Sequence, residues 1–105
     1  MLIGIINIGM GNLGSVMSHT KQLGFRTNII ENIEDYDNTN PDILLLPGVG
    51  AYTEAMNRLE RLGLDNQILE HVNSGKSIIG ICLGFQLMFE EGVEGGKQRG
   101  LGLLP

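Results

Sequence analysis

The chain has 105 residues, a formal net charge of −5 and a single cysteine. That length supports one domain with one core, and an acidic balance without a Lys/Arg cluster excludes nucleic acid and anionic membrane surfaces as partners. A lone cysteine excludes an internal disulfide framework and fits a reducing cytosol, and no apolar run is long enough for a signal peptide or a membrane span.

Leu2–Ile6 is a short apolar run without a basic flank and predicts a first β-strand. Gly9-Met10-Gly11-Asn12 follows it. Leu13, Val16, Met17, Thr20 and Leu23 then recur at helical spacing, with Gly24 placed as a left-handed C-terminal cap. A second strand is predicted over 27–30, and the polar stretch from Glu31 to Asn40 reads as a surface segment. Ile43–Leu46 predicts a third strand, leading into Pro47-Gly48-Val49-Gly50. Tyr52, Ala55, Met56, Leu59 and Leu62 mark a helix that stops at Gly63, and Leu64, Ile68, Leu69 and Val72 mark another that ends at Gly75. The run 77–81 predicts a fourth strand, immediately before Cys82.

Strands that alternate with helices predict right-handed βαβ units, hence an α/β fold: an open, mostly parallel sheet with helices on both faces. Ligands of such sheets bind beyond the carboxyl ends of the strands. Three motifs are expected there: the glycines after the first strand, the proline-glycine loop after the third, and the cysteine after the fourth.

Gly80-Ile81-Cys82-Leu83-Gly84 is the cysteine version of the G-x-S-x-G strand-to-helix turn. The flanking glycines relieve a sharp, strained turn, and the start of the following helix favours thiolate over thiol. Cys82 is therefore a candidate nucleophile; the competing reading is a small apolar core residue. In the proline-glycine loop, backbone amides free of side chains can face an oxyanion, together with the amide of Leu83; the competing reading is an ordinary strand-to-helix turn. Gly9-Met10-Gly11-Asn12-Leu13-Gly14 also spells G-x-G-x-x-G, with Glu31 closing the second strand. That spacing supports a rival reading as a dinucleotide-binding domain, which leaves the cysteine turn and the proline-glycine loop unexplained. His19 and His71 read as surface or half-buried helix residues away from the cysteine turn. Glu90 and Glu91, two turns down the helix from Cys82, read as a solvated helix end.

Taken together, Gly9-Met10-Gly11-Asn12, Leu46-Pro47-Gly48-Val49-Gly50-Ala51-Tyr52 and Gly80-Ile81-Cys82-Leu83-Gly84-Phe85-Gln86-Leu87 resemble the class I (triad) glutamine amidotransferases, whose fold is flavodoxin-like. Within that family the chain is most similar, from Met1 to Pro105, to the glutaminase subunits of histidine biosynthesis. The resemblance implies that Cys82 attacks the side-chain amide of glutamine and that a γ-glutamyl thioester is then hydrolysed. It implies an oxyanion hole from Gly48, Val49 and Leu83, and a glutamine pocket lined by Gly48, Gly50 and Gln86. It implies no cofactor and no metal, a cytoplasmic location, and a barrel-shaped cyclase or synthase subunit as heterodimer partner that receives the ammonia. The segment 9–15 is expected close to that partner.

Paralogues that supply ammonia for surface-sugar amidation carry the same motifs, and a non-catalytic interaction module is a further alternative. Asn7 stands where many relatives carry an acidic residue, a difference expected to act on the interface. The family's base and its orienting carboxylate form a His-x-Glu pair that this sequence lacks. Residues 1–105 accordingly read as the N-terminal part of a single amidotransferase domain, inactive alone and open to self-association.

Overall fold

The computed structural model describes residues 1–9, 13–48, 51–82, 91–92 and 98–102. The chain runs β1 (Leu2–Ile6), α1 (Leu13–Gln22), β2 (Arg26–Ile30), α2 (Ile33–Thr39), β3 (Ile43–Gly48), α3 (Tyr52–Leu62), α4 (Leu64–Asn73) and β4 (Ser77–Cys82). Two short strands follow, β5 (Glu91–Gly92) and β6 (Gln98–Arg99), paired antiparallel. The first four strands form one parallel sheet in the order β2-β1-β3-β4. This is the expected open α/β sheet, in the flavodoxin-like order.

Alternation along the strands sends side chains to two cores. Ile6, Ile30, Leu44 and Leu46 face α2, α3 and α4, which contribute Tyr36, Tyr52, Ala55, Met56, Leu59, Leu64 and Ile68. Leu101 returns to the same core. Ile3, Ile5 and Leu45 face the other way, against the partly buried Leu13, Val16 and Met17 of α1. Helices thus cover both faces, as predicted. The apolar stripe of α1 ends sooner than its spacing promised, because Leu23 lies 74% exposed beyond the helix. At the sheet edge, Ile79 and Ile81 of β4 are 48% and 42% exposed on the face where α1 packs over β1, β2 and β3.

The predicted strands are present with small extensions. β3 runs on through Pro47, where its pairing with β1 has already ended at Leu45 and a missing N–H costs least. β4 includes Cys82 as its last residue. Two readings need correction. The stretch 31–40 is on the surface, but it contains α2. Asn32 Oδ1 accepts the Asp35 N–H at 2.8 Å, and Asp35 Oδ2 accepts the Glu31 N–H at 3.0 Å. Tyr36 is the only buried residue of that helix, too little for a periodic signal. Glu91 is not at a helix end, because it opens β5; Glu90 lies outside the described residues.

α1 and α4 end in the same way. Phe25 N–H reaches Thr20 O at 3.1 Å and Gly24 N–H reaches Lys21 O at 2.9 Å, while Lys76 N–H reaches His71 O at 3.3 Å and Gly75 N–H reaches Val72 O at 3.0 Å. Both are Schellman ends, and each returns the chain directly into a strand. Gly4 has a packing reason instead. A Cβ there would run into Ile30 Cδ1 and lie 3.0 Å from Pro41 Cβ. Gly4→Val is therefore expected to cost about 1–3 kcal/mol. Urea unfolding reads the loss, and an unchanged midpoint would refute the tight fit.

Candidate active site

The first connection, through α1, lies on one face of the sheet, and the later connections lie on the other. The chain direction therefore reverses between β1 and β3. The crevice at their carboxyl ends is the topological switch point, where sheets of this kind bind ligands. Gly9 lies just past β1, Gly48 ends β3, and Cys82 ends β4. The register decides how these meet: Gly48 pairs with Cys82 across the β3–β4 ladder. Adjacent strands are about 4.8 Å apart, so the candidate nucleophile's backbone sits beside the first residue of the candidate oxyanion loop. Gly48 itself is buried. Val49, Gly50, Leu83, Gly84 and Gln86 lie outside the described residues, as do Met10, Gly11 and Asn12.

The exit of β1 is held by a small polar network. Asn7 Nδ2 donates to Glu31 Oε2 at 3.1 Å, and Asn7 Oδ1 accepts the Gly9 N–H at 2.9 Å. One amide both donates and accepts, which a carboxylate at that position could not do beside Glu31. Glu31 thus closes the end of β2 against the end of β1. From the other side Arg58 of α3 donates to Ile8 O at 2.7 Å and to Glu54 Oε1 at 2.8 Å. Glu54 also has Arg61 at 4.0 Å. A cavity of about 500 Å³ opens beside this group, lined by Ile8, Glu54, Arg58, Arg61 and Leu62.

Neither histidine joins the site. His19 is exposed on α1. His71, expected at the surface or half-buried, is buried instead, only 1% exposed. Its Nε2 lies 2.8 Å from Ser77 O, which can only accept, so Nε2 carries the proton. Nδ1 then accepts the Tyr36 hydroxyl proton across 2.7 Å. Burial pushes the His71 pKa below its ordinary value; the Ser77 carbonyl opposes that shift and Lys76 adds to it. Burial likewise raises the pKa of Tyr36. His71 holds the first residue of β4, and the six-residue strand puts Cys82 about 16 Å away at the other end. Sequence reasoning missed this network because its members, Tyr36, His71 and Ser77, share no motif. Among the described residues no group of three or more His, Cys, Asp or Glu side chains is placed to hold a metal ion.

Residues 11–105 match the CobB/CobQ-like glutamine amidotransferase domain. The chain belongs to the glutamine amidotransferase domain family. Residues 11–14 of the G-x-G-x-x-G spacing lie within the matched amidotransferase domain, which supports the amidotransferase reading over the dinucleotide one. Among curated proteins, this amidotransferase chain is 46% identical over 101 residues to imidazole glycerol phosphate synthase subunit HisH of Aquifex aeolicus, covering 95% of the chain and 48% of that protein. It is 45% identical to the subunit of the same name from Helicobacter hepaticus, covering 97% of the chain and 51% of that protein. The chain thus spans about half the length of the curated relatives it matches. Two solved structures share its fold. A crystal structure of a glutamine amidotransferase matches with TM-score 0.81 and 22% identity, over 96% of this chain and 52% of that one. A peptidase E-type protein from Listeria monocytogenes matches with TM-score 0.78 and 17% identity, over 98% of this chain and 62% of that one.

Proposed function

We propose that residues 1–105 are the N-terminal part of a single amidotransferase domain that acts as the glutaminase subunit of imidazole glycerol phosphate synthase, in histidine biosynthesis. The observation that carries this reading is the pairing of Gly48 with Cys82 at the switch-point end of the sheet. The relatives named above support the choice of pathway. Cys82 Sγ attacks Cδ of glutamine, and Gly48, Val49 and Leu83 stabilise the oxyanion through their amides. The C–N bond then breaks, a proton passes to the leaving nitrogen, and ammonia departs. Water hydrolyses the γ-glutamyl thioester to glutamate and restores the thiol. Gly48, Gly50 and Gln86 line the glutamine pocket.

The chemistry uses no cofactor. Ammonia passes to a barrel-shaped cyclase subunit in a heterodimer, and a thiol that must stay reduced fits the cytosol. Among the described residues no helix is long and apolar enough to cross a membrane.

A glutamine-shaped chloromethyl ketone tests the reading, because the Cys82 thiolate displaces chloride and records the encounter as added mass. Labelling is expected to saturate with probe concentration, to map to Cys82, to slow in the presence of glutamine, and to vanish in Cys82→Ser. Labelling that neither saturates nor responds to glutamine would reject a glutamine pocket.

A further inference from the structure

Arg58 sits two turns into α3, yet it reaches back to the end of β1. Its guanidinium donates from one nitrogen to Ile8 O at 2.7 Å and from Nε to Glu54 Oε1 at 2.8 Å. Gly9 approaches so closely that a Cβ there would lie 2.8 Å from the same terminal nitrogen, and its φ of +79° is one that side chains resist. β1 ends at Ile6, so the Ile8 carbonyl is beyond the strand, and a side chain from α3 supplies its donor. α3 starts at Tyr52, four residues after Gly48. One side chain therefore ties the exit of β1 to the helix that follows the candidate oxyanion loop, across the switch-point crevice.

The contact adds little to the packing of α3. That helix is already held by Tyr52, Ala55, Met56 and Leu59, and the Arg58–Glu54 pair is an i,i+4 pair near the surface, with side chains 34% and 47% exposed. Such pairs contribute little to stability. What Arg58 adds is a link from Ile8 O and the close-lying Gly9 to a helix that begins four residues after Gly48. Glu54 holds the planar guanidinium so that its other edge faces the carbonyl, a geometry that an ammonium group reproduces only in part.

We propose that Arg58 is a positioning residue of the glutaminase site, setting the spacing of the β1 exit against the start of α3, with Glu54 as its orienting partner. This rests on the amidotransferase reading given above. It assigns Arg58 no contact with glutamine.

The test compares Arg58→Met and Arg58→Lys with the parent chain in three measurements: amide hydrogen exchange, saturable labelling by the glutamine-shaped chloromethyl ketone, and labelling by iodoacetamide, which needs no pocket. Arg58→Met is expected to speed exchange at Ile8, Gly9 and Gly48. It should also raise the half-saturating probe concentration by roughly tenfold or more and leave the iodoacetamide rate unchanged, with the urea midpoint falling only by the loss of the one hydrogen bond to Ile8 O. Arg58→Lys should recover part of both effects, since it keeps a donor for Ile8 O. The proposal is overturned if Arg58→Met exchanges and saturates like the parent. It is equally overturned if exchange rises to the same degree in β2 and α4 as at Ile8, Gly9 and Gly48, which is the signature of a merely structural role. If the parent chain itself fails to show saturable labelling, the glutamine reading is what fails, and the exchange pattern alone still decides whether Arg58 positions the crevice.

Discussion

His71→Ala is expected to lower the unfolding free energy by about 2–5 kcal/mol, read from the urea midpoint. The substitution empties a site that is 1% exposed, and it removes the acceptor of the Tyr36 hydroxyl and the Nε2 donor of the Ser77 carbonyl. Its effect should reach the start of β4, because the ring is the link from α4 and α2 to Ser77. The same burial gives a pH dependence. The folded pKa of His71 lies below its ordinary value of 6.5, so the unfolded chain takes up this proton first. The stability contribution is complete above that value, declines as the pH falls through it, and levels off only below the folded pKa. Urea unfolding at about pH 7.5 and about pH 5.5, in the parent and in His71→Gln, isolates this contribution. Equal acid losses in the two proteins would remove His71 as its source.

Glutamine turnover by this chain is expected to remain at the level of its Cys82→Ser variant, even where Cys82 is alkylated. A positioned acid–base group typically contributes a factor of about 10²–10⁴, and the thioester route needs one to take the thiol proton and protonate the departing nitrogen. The sequence offers two histidines. His19 is exposed on α1, and His71 is committed to Tyr36 and Ser77 at the far end of β4 from the nucleophile. Ammonia release, followed by a coupled assay in matched preparations of both proteins, is the measurement. Turnover that disappears in Cys82→Ser would show that residues of this chain do supply the base, and would overturn the expectation.

The elements that were legible in the sequence are those whose signal is local. The β1 run is uninterrupted and apolar, and four of the five stripe residues predicted for α3 are buried where the spacing put them. The glycines at 24, 63 and 75 all have positive φ and end helices as read. α2 was not legible, because a seven-residue helix with one buried residue carries no periodicity; its signal was the Asn32 cap, set in a polar stretch. His71 was misread for a related reason. On its own helix it is one polar residue near the end, and its burial is created by Tyr36, 35 residues earlier in the chain, and by a strand carbonyl beyond the helix. Of the candidate site, the cysteine turn and the proline-glycine loop could be named from their glycines, but the Arg58 contact spans 50 residues and follows no motif.

By itself the sequence determined the kind of fold and pointed to one cysteine turn as a candidate site. Alternating apolar runs and helical stripes require a parallel sheet, and the glycines at 80 and 84 single out Cys82 as a candidate nucleophile. The tertiary structure decided what stands beside what: the order β2-β1-β3-β4, the pairing of Gly48 with Cys82, the commitment of His71 to the far end of β4 from Cys82, and the tie from α3 to β1. Periodicity is a property of neighbours along the chain. Strand order and register instead depend on packing between distant segments, where a shift of one residue would turn every side chain of a strand to the opposite face.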